Sequence, residues 1–185
     1  MPTPPRRRAT TAEAATMASA VRLRIIRLTR LEPLTNARIA ARLGRDPATT
    51  LHHVRRLVRH GFLEALPARR GTRGAKEIPY RATALSWSLE GAGLESGMPE
   101  AVLEAYLDEV TEVGIGALEQ SRLVVRLAPA EAAALRAELH AVLDAYATRP
   151  DPPDGEAVAV YLSVYPGETN QTSGALAWEH EPHDD

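Results

Sequence analysis

The sequence predicts an α+β chain in two parts: three helices and a basic hairpin, then a small α-β-α-β module. Three observations carry this. Apolar residues recur three and four apart up to about residue 60, alternation and glycine turns replace that period just beyond, and the charge reverses sign between the halves. Residues 1–83 hold 18 Lys+Arg against 5 Asp+Glu, or +13. Residues 84–185 hold 4 against 19, or −15, and the two sum to the chain's −2. A half so short of acidic groups is built to meet a polyanion.

In "ASAVRLRIIRLTRLEP" the residues Val21, Ile25, Ile26 and Leu28 share one face of a first helix, which Pro33 ends. "LTNARIAARLG" supplies a short second helix, with Thr35 as N-cap, Ile39 and Leu43 as the buried stripe and Gly44 just past the C-terminus. After the tight "GRDP" connection, Asp46 caps a third helix that runs to about His60, where Gly61 stops it. Pro47 takes its first position, and Leu51, Val54, Leu57 and Val58 point inward. From Phe62 "FLEALP" and "EIPYRAT" read as short strands joined by "ARRGTRGAK", a hairpin with a cationic tip. Pro79 cannot donate to a ladder, so its strand is expected at a sheet edge.

The glycine-rich stretch "LSWSLEGAGLESGMP" marks the module boundary. Residues 99–121 resume a helix, 121–127 alternate like a strand, Pro129 opens another helix, and "EAVAVYLSVYP" alternates again. The expected division is a flexible basic arm over 1–16, a reading head over 17–84, an α+β module over 85–166 and an acidic flexible tail over 167–185. The arm's "PPRRR" is either a sequence-blind contact or a solvated start.

Helix, short helix, tight turn, helix and basic hairpin is the plan of a winged helix-turn-helix. "LTNARIAARLGRDPATTLHHVRRLVRHGFLE" resembles the helix-turn-helix of the ArsR-type winged-helix transcriptional regulators. "TTLHHVRRL" stands at their recognition helix and "HGFLE" at the entry to their wing. The resemblance covers about residues 17–84 and implies a cytoplasmic, homodimeric regulator that binds double-stranded DNA. Two residues depart from the pattern. Arg38 replaces the Glu of a capping box, a cation against the helix dipole costing roughly 0.3–1 kcal/mol that a nearby phosphate could offset. Leu51 replaces a hydroxyl-bearing residue, so the direct contact there does not carry over.

The residues lead the same way without the resemblance. With Leu51, Val54 and Leu57 inward, Thr49, His52, His53 and Arg56 project from the part of the helix that enters a major groove. The expected DNA contacts are Arg38, Thr49, Thr50, His52, His53, Arg55 and Arg56, on or near a recognition helix over about 46–60. Arg69, Arg70, Arg73 and Lys76 join them on a wing over 67–77, set against backbone or minor groove. For His53 a half-buried packing role stands beside the DNA role. In the second module Leu103, Leu107, Val110, Val113 and Ala117 form an apolar seam suited either to dimer pairing or to packing under the module's own sheet. Trp87, Tyr106, Tyr146, Tyr161, Tyr165 and Trp178 could line a pocket for a small-molecule effector, though core or dimer contacts are the more ordinary use of such residues.

Several classes are disfavoured. The chain has no cysteine, which removes disulfides, thiolate metal sites and a cysteine nucleophile. It lacks the common hydrolase, nucleotide-binding and zinc-protease motifs, so no enzyme, cofactor or metal is expected. Neighbouring His52 and His53 point about 100° apart on a helix, poor geometry for one ion. No apolar window approaches a membrane span, and no apolar stretch follows the N-terminal arginines, so an unexported protein is expected. Two rivals stay open: a winged-helix module that docks protein or RNA, and an enzyme hidden in the second module.

Overall fold

The computed structural model describes residues 6–71, 75–90, 97–152 and 154–167. The chain divides into two units, one of residues 1–119 with 148–159, the other of 120–147 with 160–185.

The first unit opens with strand β1 (Arg7–Arg8) and helix α1 (Thr11–Met17). Residues 6–17 are therefore structured, where a flexible arm was expected. The cause is local. Thr10 and Glu13 form a capping box, the Thr10 hydroxyl accepting from the Glu13 N–H and the Glu13 carboxylate accepting from the Thr10 N–H at 2.8 Å. Arg7 closes on the same carboxylate, and β1 runs parallel to β7 (Leu89–Glu90).

Helix α2 (Ala20–Leu31) buries Ile25 and Ile26 and ends before Pro33, as its periodicity requires. Strand β2 (Leu34–Thr35) is a two-residue element that no sequence period can announce. Helix α3 (Asn36–Leu43) starts on Thr35, whose hydroxyl accepts from the Arg38 N–H. It ends at Gly44, whose φ of 60° is the left-handed conformation a side chain resists. Helix α4 (Pro47–Arg59) starts on Asp46, whose Oδ1 accepts from the Ala48 and Thr49 N–H groups at 2.9 Å each. The Asn36 amide donates to the Pro47 carbonyl at 2.8 Å and fastens the start of α4 to that of α3.

Strands β3 (Leu63–Ala65), β4 (Arg69–Arg70), β5 (Lys76–Glu77) and β6 (Pro79–Ala82) form the wing. β4 pairs antiparallel with β5, and the three-stranded sheet has the order β2-β6-β3. β6 is thus central, correcting the edge position expected from Pro79. Proline is tolerated because it is the first residue of the strand, opposite Thr35, and its carbonyl still accepts from the Leu66 N–H at 2.8 Å. Ile25, Leu34, Ile39, Val54, Leu57 and Phe62 are wholly buried and make the core of this unit.

Beyond the wing a 3-10 turn (Leu85–Ser88) leads to β7, and Leu85, Leu89 and Met98 still pack on the core. Helix α5 (Met98–Val113) lies on α2 with Ala101 and Ala105 buried. It is shorter than the helix expected over 99–121, because Gly114 at φ 87° ends it and Ala117 falls in a separate 3-10 turn (Ile115–Ala117). In the second unit, helix α6 (Pro129–Ala147) forms as its pattern predicts. The alternating runs at 121–127 and 156–166 do not form strands: no ladder includes them among the described residues. Alternation states which face a strand would bury, but a ladder also needs a neighbouring backbone that sequence period cannot supply.

Candidate nucleic-acid interface

The reading face of α4 follows from which of its residues the core takes. Thr50, Val54 and Leu57 are buried, spaced four and three apart, so the opposite side carries Thr49, His52, Arg55 and Arg59 outward. This turns the helix slightly from the expected register. Leu51 is only half-buried, and Thr50, proposed as a DNA contact, has no exposed surface: its hydroxyl donates to the Asp46 carbonyl at 2.9 Å inside the first turn. Thr50 is therefore a structural residue. Arg59 and Arg45, both exposed, belong to the face although neither was singled out. For Arg59 the signal was available: it lies four residues beyond Arg55 and seven beyond His52.

His53 is half-buried on the flank. Its Nδ1 is sealed from solvent with no hydrogen-bond partner among the described residues. Burial foremost, then the charges of Arg22, His52, Arg45 and Arg56, push its pKa below the ordinary histidine value. This fits the packing role left open for it. The His52 and His53 rings meet edge to face at 6.0 Å. Among the described residues no cluster of three or more His, Asp or Glu is arranged to hold a metal ion.

Arg56 reaches back instead of outward, its guanidinium near the Ala15 carbonyl (3.3 Å) and the Thr16 hydroxyl (3.5 Å) of α1. Arg22 from α2 donates to the carbonyls of Ala15, Thr16 and Ala18. Two cations thus complement the negative end of one short helix, α1, and link it to α4. Burial first, and Arg56 second, lower the Arg22 pKa.

The remaining cations divide into two groups. On α2, Arg24 pairs with Asp108 and Glu112 of α5, Arg27 pairs with Glu109 of α5, and Arg30 lies 3.3 Å from Asp151. On α3, Arg38 and Arg42 share Glu32, so this carboxylate, in place of the phosphate invoked above, offsets the cation near the α3 N-terminus. By contrast Arg45, Arg55, Arg59, Arg70 and Lys76 form no ion pair among the described residues. Arg55, Arg59, Arg70 and Lys76 are exposed on α4 and the wing. In the wing ladder Arg69 faces Glu77, but Arg70 lies directly opposite Lys76. Two like charges across a ladder repel, and a bound anion would turn that cost into an attraction. Arg73 lies outside the described residues.

The residues nominated for other roles are scattered. Leu103, Leu107, Val113 and Ala117 are exposed and Val110 is half-buried, so the seam faces away from the alanines that meet α2. Arg6 lies over the Trp87 ring at 5.4 Å. Tyr106 is half-buried, Tyr146, Tyr161 and Tyr165 are exposed, and Trp178 lies outside the described residues.

Residues 17–64, spanning α2 to β3, match the family model of a helix-turn-helix domain. A helix-turn-helix domain followed by a β-wing is the class that the fold and this match define together. Among solved structures the chain is similar to the zinc-responsive MarR family member ZitR of Lactococcus lactis (18% identity, 68% of this chain and 74% of that one, TM-score 0.33). It is likewise similar to Streptococcus pneumoniae FabT in complex with DNA (13%, 68% and 73%, TM-score 0.30). The third is the PcaV transcriptional regulator of Streptomyces coelicolor with its natural ligand (19%, 69% and 72%, TM-score 0.29). Likenesses this loose bear on neither activity nor assembly. No curated protein matches the chain by sequence. No helix among the described residues is long and apolar enough to cross a membrane.

Proposed function

We propose that this chain is a sequence-specific DNA-binding transcriptional regulator of the ArsR-like winged-helix kind that acts as a homodimer. In this reading α4 enters the major groove and the wing rests on backbone or minor groove. Thr49 and His52 supply base-edge contacts, and Arg45, Arg55, Arg59, Arg70 and Lys76 hold phosphates. Residues 85–166 serve assembly, with Leu103 and Leu107 of α5 at a dimer contact, and are the place for an effector if the chain takes one. The supporting observation is the selective neutralisation of charge. Arg22, Arg24, Arg27 and Arg30 of α2 are matched by carboxylates or carbonyls, whereas the side chains of Arg45, Arg55, Arg59, Arg70 and Lys76 have no such partner among the described residues.

Selection of bound fragments from random duplex DNA at near-physiological salt tests the reading. A palindromic motif with half-sites about one helical turn apart is expected. Equal retention of all sequences, or retention of RNA or protein in preference to DNA, would overturn it.

A further inference from the structure

Helix α1 holds a cation that the recognition helix carries. Arg56 lies four residues beyond His52 and seven beyond Thr49, so it leaves α4 on the side that bears those two residues. Its guanidinium nevertheless turns back to the C-terminal end of α1, 3.3 Å from the Ala15 carbonyl and 3.5 Å from the Thr16 hydroxyl. Both acceptors are neutral and both distances are long, and the Ala15 carbonyl also accepts from Arg22 at 3.1 Å. Two guanidinium groups thus crowd one helix end, with no carboxylate paired to either among the described residues. A DNA phosphate would offer Arg56 a full negative charge instead. The hold also lasts only while α1 is seated. Seven residues are too few for a helix to persist alone in water, so α1 depends on its fastenings. It packs on α2 and α5 with Ala14, Thr16 and Met17 buried. Its start is secured by the Thr10–Glu13 box, by the Arg7 ion pair and by the ladder between β1 and β7. β7 follows the wing and α5 is the next helix, so these fastenings join α1 to the chain that leaves the reading head.

We propose that residues 6–17 restrain DNA binding: seated α1 withholds Arg56 from the duplex, and unseating α1 releases Arg56 as a sixth phosphate contact beside Arg45, Arg55, Arg59, Arg70 and Lys76. With its guanidinium on α1, Arg56 is turned from the outer side of α4, so seating and phosphate contact compete for one side chain. The coupling is reciprocal: whatever loosens α1 tightens the hold on DNA, and DNA in turn loosens α1. A shift of β7 or α5 away from α2 is the movement that would unseat it, since α1 is fastened to all three elements. This gives the site of the proposed function a regulator within the same chain, and it rests on that reading.

The test uses the full-length chain and a labelled duplex of random sequence, followed by fluorescence anisotropy across a salt series. Thr10→Ala with Ala15→Gly removes the cap and lowers helix propensity at two exposed positions without changing charge. Ala14→Pro, also charge-neutral, breaks the bond from the Ala14 N–H to the Thr10 carbonyl outright. Amide hydrogen exchange should show residues 15–18 unprotected in these variants and α4 still protected, which excludes general unfolding. Their salt slope should steepen from about −4.5 to about −5.4 per protomer, so the loss of affinity between about 50 and 200 mM grows from roughly 500-fold to roughly 1,800-fold. Adding Arg56→Ala should return the slope to about −4.5, which assigns the gain to Arg56 and not to Arg22. An unchanged slope once α1 is unprotected, α1 amides that stay protected in both variants, or a gain that survives Arg56→Ala would each overturn the restraint. Flattening of the wild-type slope by Arg56→Ala would overturn it too, because Arg56 would then already be on the duplex. Failure of the wild type and every variant to bind the duplex, or binding indifferent to salt, would instead sink the DNA reading itself.

Discussion

Replacing Arg55 and Arg59 together by alanine should flatten the salt dependence of DNA binding, whereas replacing Arg27 and Arg30 should not. The logarithm of affinity falls with the logarithm of salt by about 0.9 for each phosphate neutralised. Arg45, Arg55, Arg59, Arg70 and Lys76 have neither a carboxylate nor a carbonyl partner for their side chains among the described residues, so from these five each protomer should show a slope near −4.5, a loss of roughly 500-fold between about 50 and 200 mM salt. Without Arg55 and Arg59 the slope should fall to about −2.7 and the loss to roughly 40-fold. Arg27 and Arg30 are already matched by Glu109 and Asp151, so they contribute little to displaced counterions. The assay is fluorescence anisotropy of a labelled duplex across a salt series, with circular dichroism to verify folding. Equal flattening by both pairs, or none from Arg55 and Arg59, would refute the division of charge.

Other expectations test individual residues. Thr50→Val should cost about 1 kcal/mol in urea denaturation and leave the selected DNA motif unchanged, whereas Thr49→Ala should shift base preference by roughly 1–3 kcal/mol at one position with little effect on stability. Gly44→Ala should destabilise by about 1–2 kcal/mol through its left-handed backbone alone, since nothing lies within 4 Å of the added carbon; Gly44→Asn should recover part of this in thermal melts. The Arg7 guanidinium, with the Thr10 backbone N–H and hydroxyl, holds the Glu13 carboxyl down to about 2 against the opposing effect of burial. A depressed carboxylate contributes stability that is present above its unfolded pKa of about 4.3 and fades as pH falls towards 2. The stability gap between wild type and Glu13→Gln should accordingly be constant above about pH 5 and close progressively below it, as read from denaturation midpoints.

Helices α3 and α4 were legible because their ends are set by adjacent residues: Thr35, Asp46 with Pro47, and Gly44 act within a turn of where they stand. α1 was equally local, its Thr10-x-x-Glu13 box present in the sequence, but the arginines ahead of it invited a reading as a loose arm. Thr50 shows how a small register error matters. Leu51 is the more apolar neighbour, yet packing with Val54 and Leu57 selects the residue one step earlier. The pairing of Arg24 with Asp108 and Glu112 bridges more than 80 residues, and the central place of β6 depends on β2, a strand of two residues. Neither has a local signature. The outward path of His52 and Arg55 was legible, but the inward turn of Arg56 onto α1 is a contact across 41 residues with no local signature.

The carboxylates of α5 have a consequence for anyone trimming this protein. Asp108, Glu109 and Glu112 act as a built-in counterion sheath for the first long helix. A fragment cut short after the wing would shed that sheath and bare Arg24 and Arg27. Such a fragment should cling to nucleic acids of any sequence more avidly than the intact chain, so tight binding by an isolated reading head would overstate its discrimination.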